Sequence, residues 1–257
     1  MQLPVYEIIN QACHDTWNNR RELTSVAFVP VLAVAVAGTI ITAFNGDPRI
    51  LLDNPEKLQT SLAVKLILGG VLNWLIGLVF YTLFAVAWCR RTLVSSETIT
   101  VGAAMNWNRR HWSFFLKLIL LIINLFGLFL LMSILLSTIL PIAPILSALF
   151  IICGLIYARA ALIFPAVATD AHMTVGDSIK LTNGNTWRMC IAVVVIPFLI
   201  MLLGSVIVLM LATTFSAFIG SSVTAQFLLS IAVQSINYFG FAIGITALSI
   251  AYRQLNI

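Results

Sequence analysis

Long apolar runs alternate with short polar segments along the whole chain. Runs that lack charge, or carry it only near an end, fall at about 23–44, 62–88, 113–137, 142–164, 189–218 and 225–252. A helix rises about 1.5 Å per residue, so about 20 apolar residues cross a ~30 Å hydrocarbon layer. Within lipid a single segment satisfies its backbone only as a helix. The pattern therefore predicts an all-α, polytopic membrane bundle of six transmembrane helices in one membrane domain. The last two runs exceed the ~20 residues needed and are expected to tilt, or to continue as helix past the hydrocarbon.

The polar segments on one side of the bundle are patterned too. Val5, Ile8, Ile9, Ala12, Cys13, Thr16 and Trp17 recur at helical spacing, with Glu7, Asn10, Gln11, His14, Asp15 and Asn18 opposite them. This predicts an amphipathic helix lying flat on the membrane, with Trp17 at headgroup depth. A second segment, Thr100-Val101-Gly102-Ala103-Ala104-Met105, leads to Arg109, Arg110, His111 and Trp112 before the third run. A third, Thr174-Val175-Gly176-Asp177-Ser178-Ile179, leads to Asn185, Trp187 and Arg188 before the fifth.

Both of the latter begin Thr-Val-Gly and reach a Trp twelve or thirteen residues later. In the third, Thr174 and Asp177 fit a capping box and Gly184 a left-handed terminator, predicting a helix over about 174–183. The chain thus reads as three pseudo-repeats of interfacial helix plus transmembrane hairpin, about 1–92, 93–170 and 171–257. The sizeable segment on the opposite side, Asn45 to Ser61, carries Asp47-Pro48 and Asn54-Pro55 and is expected to be an ordered loop with turns.

Composition fits this reading, with 61% hydrophobic and 9% charged residues against about 25% charged in soluble domains. Charge then sets the orientation. One side collects Arg20, Arg21, Arg90, Arg91, Arg109, Arg110, Lys117, Arg159, Lys180, Arg188 and Arg253, and the other Arg49, Lys57 and Lys65. With six acidic residues on the first side and three on the second, the net +5 lies on one face (11 − 6 against 3 − 3). Positive residues near span ends are retained in the cytoplasm, so both termini are expected there. The same basic face suits anionic headgroups and needs no nucleic-acid partner.

The chain opens with a polar stretch, Met1 to Glu22, rather than the basic start and short apolar core of a secretory signal, so the first span is expected in the mature protein. Cys13, Cys89, Cys153 and Cys190 have no C-x-x-C spacing and are expected to pack as reduced thiols.

The stretch Arg159-x5-Pro165-x4-Asp170, followed by Gly176-Asp177-Ser178-x2-Leu181-Thr182-x-Gly184-Asn185-x-Trp187-Arg188, resembles a signature of bacterial membrane proteins. These are the YciC-like inner-membrane proteins and the membrane domain fused ahead of some glycerophosphodiester phosphodiesterases. The motif covers about thirty residues, and the six-span plan is similar across the whole chain. The resemblance implies a bacterial inner-membrane location and this fold, and hardly any activity. Phosphodiesterase chemistry is not expected to carry over with the resemblance, since the residues after the last run do not supply the soluble catalytic barrel and the sequence shows no His-Arg pair or clustered Glu/Asp of the kind that chemistry uses.

Arg159, about one and a half turns from the end of its span, is expected to snorkel or to pair with Asp170 or Asp177, with Pro165 bending the helix between them. His14, His111 and His172 lack the spacing of a zinc site and read as interfacial polar residues. Asn73, Asn124, Gln226, Gln234 and Asn237 lie inside spans as interhelical hydrogen-bonding groups, and Gln234 with Asn237 on one face offers a possible polar lining for a substrate path. Asp177 and Ser178 are assigned to capping.

No acidic residue lies deep in a run, which weakens ion-coupled transport. No nucleotide-binding or hydrolase motif occurs, and neither a cofactor nor a catalytic residue is expected. The leading expectation is a non-enzymatic inner-membrane protein working through lipid or protein contacts, in envelope maintenance or as an accessory subunit. The alternative is a transporter or channel for a small or lipidic molecule.

Overall fold

The computed structural model describes residues 2–45, 60–94, 101–136, 142–219 and 223–256. They form helices throughout, with no strand among them: α1 (Val5–Asn18), α2 (Arg20–Asn45), α3 (Thr60–Leu93), α4 (Val101–Met105), α5 (Arg109–Leu136), α6 (Ile142–Ala160), α7 (Ile163–Ala168), α8 (Val175–Leu181), α9 (Thr186–Cys190), α10 (Ile196–Ile219) and α11 (Val223–Leu255). Six segments are long and apolar enough to cross a membrane: Arg20–Phe44, Ala63–Leu93, Arg109–Leu136, Pro144–Ala168, Thr186–Thr214 and Val223–Leu255. They coincide with the runs read from sequence. Most of the anticipated loop at Asn45 to Ser61, and Thr100 of the second patterned segment, lie outside the described residues.

The helices α3 and α11 are the central pair. α3 packs against α2, α5, α7 and α11, and α11 against α1, α2, α3 and α10. Burial concentrates toward the end of the bundle that holds α1 and the close of α11, here called the basic end. The buried stretches are 82–89 of α3 and most of 238–252 of α11, together with Leu23, Val26, Val31 and Ala35 of α2.

Aromatic rings fill this half of the bundle. Phe84 stacks on Trp88 at 6.1 Å between centroids and meets Tyr238 edge-on at 5.0 Å. The Trp88 indole donates to Thr246 Oγ1 (2.9 Å) and to the Ala242 carbonyl (3.2 Å), and Thr246 in turn meets Thr16 of α1 at 3.4 Å. A buried Trp N–H without such partners would cost about 1–3 kcal/mol, so the network fixes the mutual register of α1, α3 and α11.

That network corrects the expectation for α1. Ile8, Ala12 and Thr16, the residues assigned to a lipid-facing stripe, are buried against protein, chiefly α11. Trp17 packs edge-on against Phe239 of α11, and the Arg20 guanidinium sits over its ring. A protein groove satisfies the same apolar periodicity as a membrane surface, and periodicity alone does not distinguish them.

The pair α10 and α11 approaches closely through small residues. A Cβ placed on Gly240 would lie 2.2 Å from Met201 Cγ, on Gly204 2.5 Å from Ile236, and on Gly244 3.3 Å from Pro197. Gly240 and Gly244 form a small-x-x-x-small stripe of the kind that lets helices pack where no hydrophobic driving force exists. Upstream of Pro197 the helix widens into a π turn, Ile191–Val195. Proline lacks the N–H that would reach the Val193 carbonyl, so regular α bonding is interrupted there in any case.

Toward the far end burial falls. In α5 only His111, Phe114 and Leu118, all near its start, are buried, and α10 has no buried residue from Phe198 to Thr214. All four cysteines are free, with Cys89 and Cys190 buried.

Candidate functional site

The motif residues gather at the basic end around the break between α6 and α7. Pro165 has no N–H for the Ala161 carbonyl, and its ring crowds that carbonyl in a straight helix. The chain responds with a turn at Ala161-Leu162, where Phe164 N–H takes the Ala161 carbonyl at 3.0 Å. All eight residues from Ala161 to Ala168 are buried. The kink therefore drives the chain into the core.

Asp170 follows the kink with a left-handed backbone, φ 60°. Its carboxylate does not pair with Arg159. Instead Arg110 of α5 engages both oxygens, Nε reaching Oδ1 at 2.8 Å and Nη2 reaching Oδ2, while Arg90 of α3 stands 3.8 Å away and donates to the Ala168 carbonyl at 3.1 Å. The Arg110 hydrogen bonds hold the Asp170 carboxyl below its usual range. Sequence proximity suggested Arg159; the left-handed turn aims the carboxylate at the other helices instead.

Among the described residues the Arg159 side chain reaches only the Ile179 carbonyl, at 3.5 Å, and its buried Nε has no partner. Nor does Asp177 bind it. Asp177 closes the anticipated capping box, accepting from the Thr174 amide (3.1 Å) and hydroxyl (2.6 Å) while its own amide donates to Thr174 Oγ1. Those bonds lower the Asp177 carboxyl.

Ser178 departs from its assigned capping role. It is fully buried and donates to the Arg159 carbonyl at 2.5 Å, repairing a backbone acceptor near the Pro165 break. Thr182, also fully buried, bonds back to the Ser178 carbonyl.

The terminator Gly184 has φ 77°, as the capping pattern required. Buried Asn185 then accepts from the Leu3 amide at 2.9 Å, and Arg188 donates to the Leu3 carbonyl and to Gln2 Oε1. Gly176 and Trp187 are exposed and Leu181 half-buried. Taken together, the motif is a clamp that joins α6, α8, α9 and the segment before α1, and its polar atoms are largely consumed in doing so.

The histidines do not converge. His111 is buried and bonded to Asn108 (Nδ1 to Oδ1, 2.9 Å), His14 is exposed beside Asn18, and His172 is exposed. Among the described residues no three His, Cys, Asp or Glu side chains come close enough to share a metal ion.

A larger cleft with uncharged polar walls occurs elsewhere, in the far half. A half-open cleft of about 320 Å³ lies between α2, α3 and α11, lined by Gly38, Thr39, Thr42, Asn73, Gln226 and Ser230 among others. Gly69 and Gly70 line it too, opening space on the α3 side. Thr39 donates to the Ala35 carbonyl at 2.8 Å and so offers its oxygen as an acceptor. Among the described residues Asn73 Oδ1 is buried with no hydrogen-bond partner. A buried unpaired amide oxygen costs about 1–3 kcal/mol, more than in-span hydrogen bonds return on average.

Gln234 and Asn237, the expected lining, are half-buried on α11 and are not among the residues lining this cleft. The lining from α11 is Gln226 and Ser230, earlier on the same helix. Gln226 and Asn237 are eleven residues apart, three turns, so the polar face was legible but not the level at which α2 and α3 leave room beside it.

The cleft does not continue to the basic end. Val31 and Ala35 of α2, Phe84 of α3, and Tyr238 and Ala242 of α11 are all buried in the packed core. The chain matches no family model, no curated protein and no solved structure.

Proposed function

We propose that this is a non-enzymatic protein of the bacterial inner membrane that acts by holding lipid or another membrane protein, with both termini in the cytoplasm. The observation that carries the reading is the polarity of the bundle: a basic end packed and hydrogen-bonded, and a far half that leaves a polar cleft beside exposed apolar helix faces. A helix bundle with one closed and one open end suits a static receptor for a membrane-embedded ligand. The basic residues at the closed end support its cytoplasmic placement and contact with anionic headgroups.

The Arg159-to-Arg188 motif supports membership of the YciC-like family, and the short helices α1, α4 and α8 ahead of the first, third and fifth spans support a threefold helix-plus-hairpin plan. A second reading, transport of a small or lipidic molecule, is favoured by the cleft itself. It requires an alternate state in which the Phe84–Tyr238 contact opens.

Purification in native lipid discs, followed by mass spectrometry of bound lipids and proteins, tests the leading reading. Retained lipid or a stoichiometric membrane partner is expected. A lone monomer stripped of both would overturn it.

A further inference from the structure

From the cleft between α2, α3 and α11 we infer a binding site for an uncharged, hydroxyl-bearing lipid of the diacylglycerol type. This rests on the lipid-holding reading above and specifies the ligand.

The chemistry of the walls carries the assignment. The described lining holds two amides, Asn73 and Gln226, and the hydroxyls of Thr39, Thr42 and Ser230, with no charged side chain. Below the headgroups an unpaired phosphate has a large desolvation cost that neutral amides do not offset. A neutral head does not bear this cost. Among the described residues Asn73 Oδ1 has no donor, and a ligand hydroxyl supplies one.

Depth agrees. Gln226 lies three residues from the start of α11, and Asn73 thirteen from the start of α3. At ~1.5 Å per residue Gln226 lies about 5 Å and Asn73 about 20 Å from those helix starts, and Gly38, beside Asn73, about 10 Å from the end of α2. A small uncharged head fits a site set inside the helix ends. Exposed Ile40 and Phe44 of α2 and Ile67, Leu68 and Val71 of α3 provide apolar surface for acyl chains at the same level. At about 320 Å³ the space is at the lower end of ligand sites, enough for a glycerol head with its ester groups rather than a whole lipid.

The full-length protein in bilayer discs would be photolabelled with a diazirine-bearing diacylglycerol, with unlabelled diacylglycerol, phosphatidylglycerol or free glycerol as competitors. Phosphatidylglycerol is the informative control, because it has the same hydroxyls plus a phosphate, and exposed Lys65 lies one turn before Gly69. The expected result is label mapped to 38–42, 66–73 or 226–230, displaced by diacylglycerol and not by the other two.

Two variants report on the site without relying on a damaged fold. Gly70 lines the cleft and a Cβ on it meets nothing within 4 Å, so Gly70→Leu is expected to fold, to narrow the cleft and to reduce labelling about tenfold. Asn73→Leu removes the waiting acceptor and weakens labelling about fivefold, while the unliganded protein is no less stable. A merely structural asparagine would lose stability instead.

Equal displacement by phosphatidylglycerol, label confined to other regions, or labelling unchanged in Gly70→Leu would each overturn the assignment. If the discs still retain lipid or a partner in that event, the lipid-holding reading stands and only the ligand is wrong.

Discussion

The two halves of the bundle are built on different terms. At the basic end, buried residues are dense and nearly every irregularity has a polar partner: the Pro165 break is met by Ser178, the α8 start by Thr174 and Asp177, and the Asp170 turn by Arg110. In the far half the helices are apolar and mostly exposed. Lipid is as good a solvent for leucine as a protein core, so a helix wholly within it gains little by packing. Where helices kink and end near water, backbone groups need partners and apolar faces need cover. The lesson is that stability belongs to one end, leaving the other free to bind.

If that division is right, substitutions should fall steeply in effect from the basic end outward. Trp88→Ala should cost most, about 3–5 kcal/mol, by leaving a cavity beside Phe84 and unpairing Thr246. Equilibrium unfolding in bicelles measures it, and a loss below about 1 kcal/mol would mean the aromatic core is not the keystone.

Gly240→Val should come next. Its side chain meets Met201 at a distance no real contact allows, and overpacking of this kind costs about 1–3 kcal/mol. Gly70→Leu, a larger change in the far half, is expected to be neutral or stabilising in the same assay.

Ser178→Ala removes the buried bond to the Arg159 carbonyl and should cost about 1–2 kcal/mol. Arg159→Ala loses only a 3.5 Å contact to Ile179 and should cost less. The reverse order in thermal melts would restore Arg159 as a structural ion-pair residue.

Asp170→Asn keeps a side chain that tolerates positive φ and removes the charge, for a loss of up to about 1 kcal/mol at neutral pH. Because the folded carboxyl is held below its unfolded value, its contribution is present above the unfolded pKa, about 4, and is lost as pH falls through the lower folded one. The melting curves of wild type and variant should therefore converge on acidification below about pH 4. Convergence at alkaline pH instead would contradict the ion pairing. Smallest of all, Leu131→Ala on an exposed face of α5 should shift stability by less than about 0.5 kcal/mol.

Much of this was legible in the residues. The six spans follow from run length, and the α8 cap and Gly184 terminator from local hydrogen-bonding rules, because each depends on residues a few positions apart. The partner of Asp170 was not legible. Arg110 is sixty residues away, and only the left-handed turn at Asp170 decides which cation its carboxylate faces. The Gly240-x-x-x-Gly244 stripe was present in the sequence as a recognisable packing signal, but its partner on α10 was not.

The sequence by itself determined that this chain lives in a membrane, how many times it crosses, and which end is basic. Those properties are sums over local composition, and solvent transfer energies add residue by residue. Only the tertiary structure decided that α1 docks on α11, that the residues from Arg159 to Arg188 are consumed in a clamp, and that the polar groups lining the cleft are Asn73 and Gln226 rather than Gln234 and Asn237. Each depends on which helices are neighbours and at what level they part, and that is fixed by kinks, glycine contacts and distant hydrogen bonds acting together.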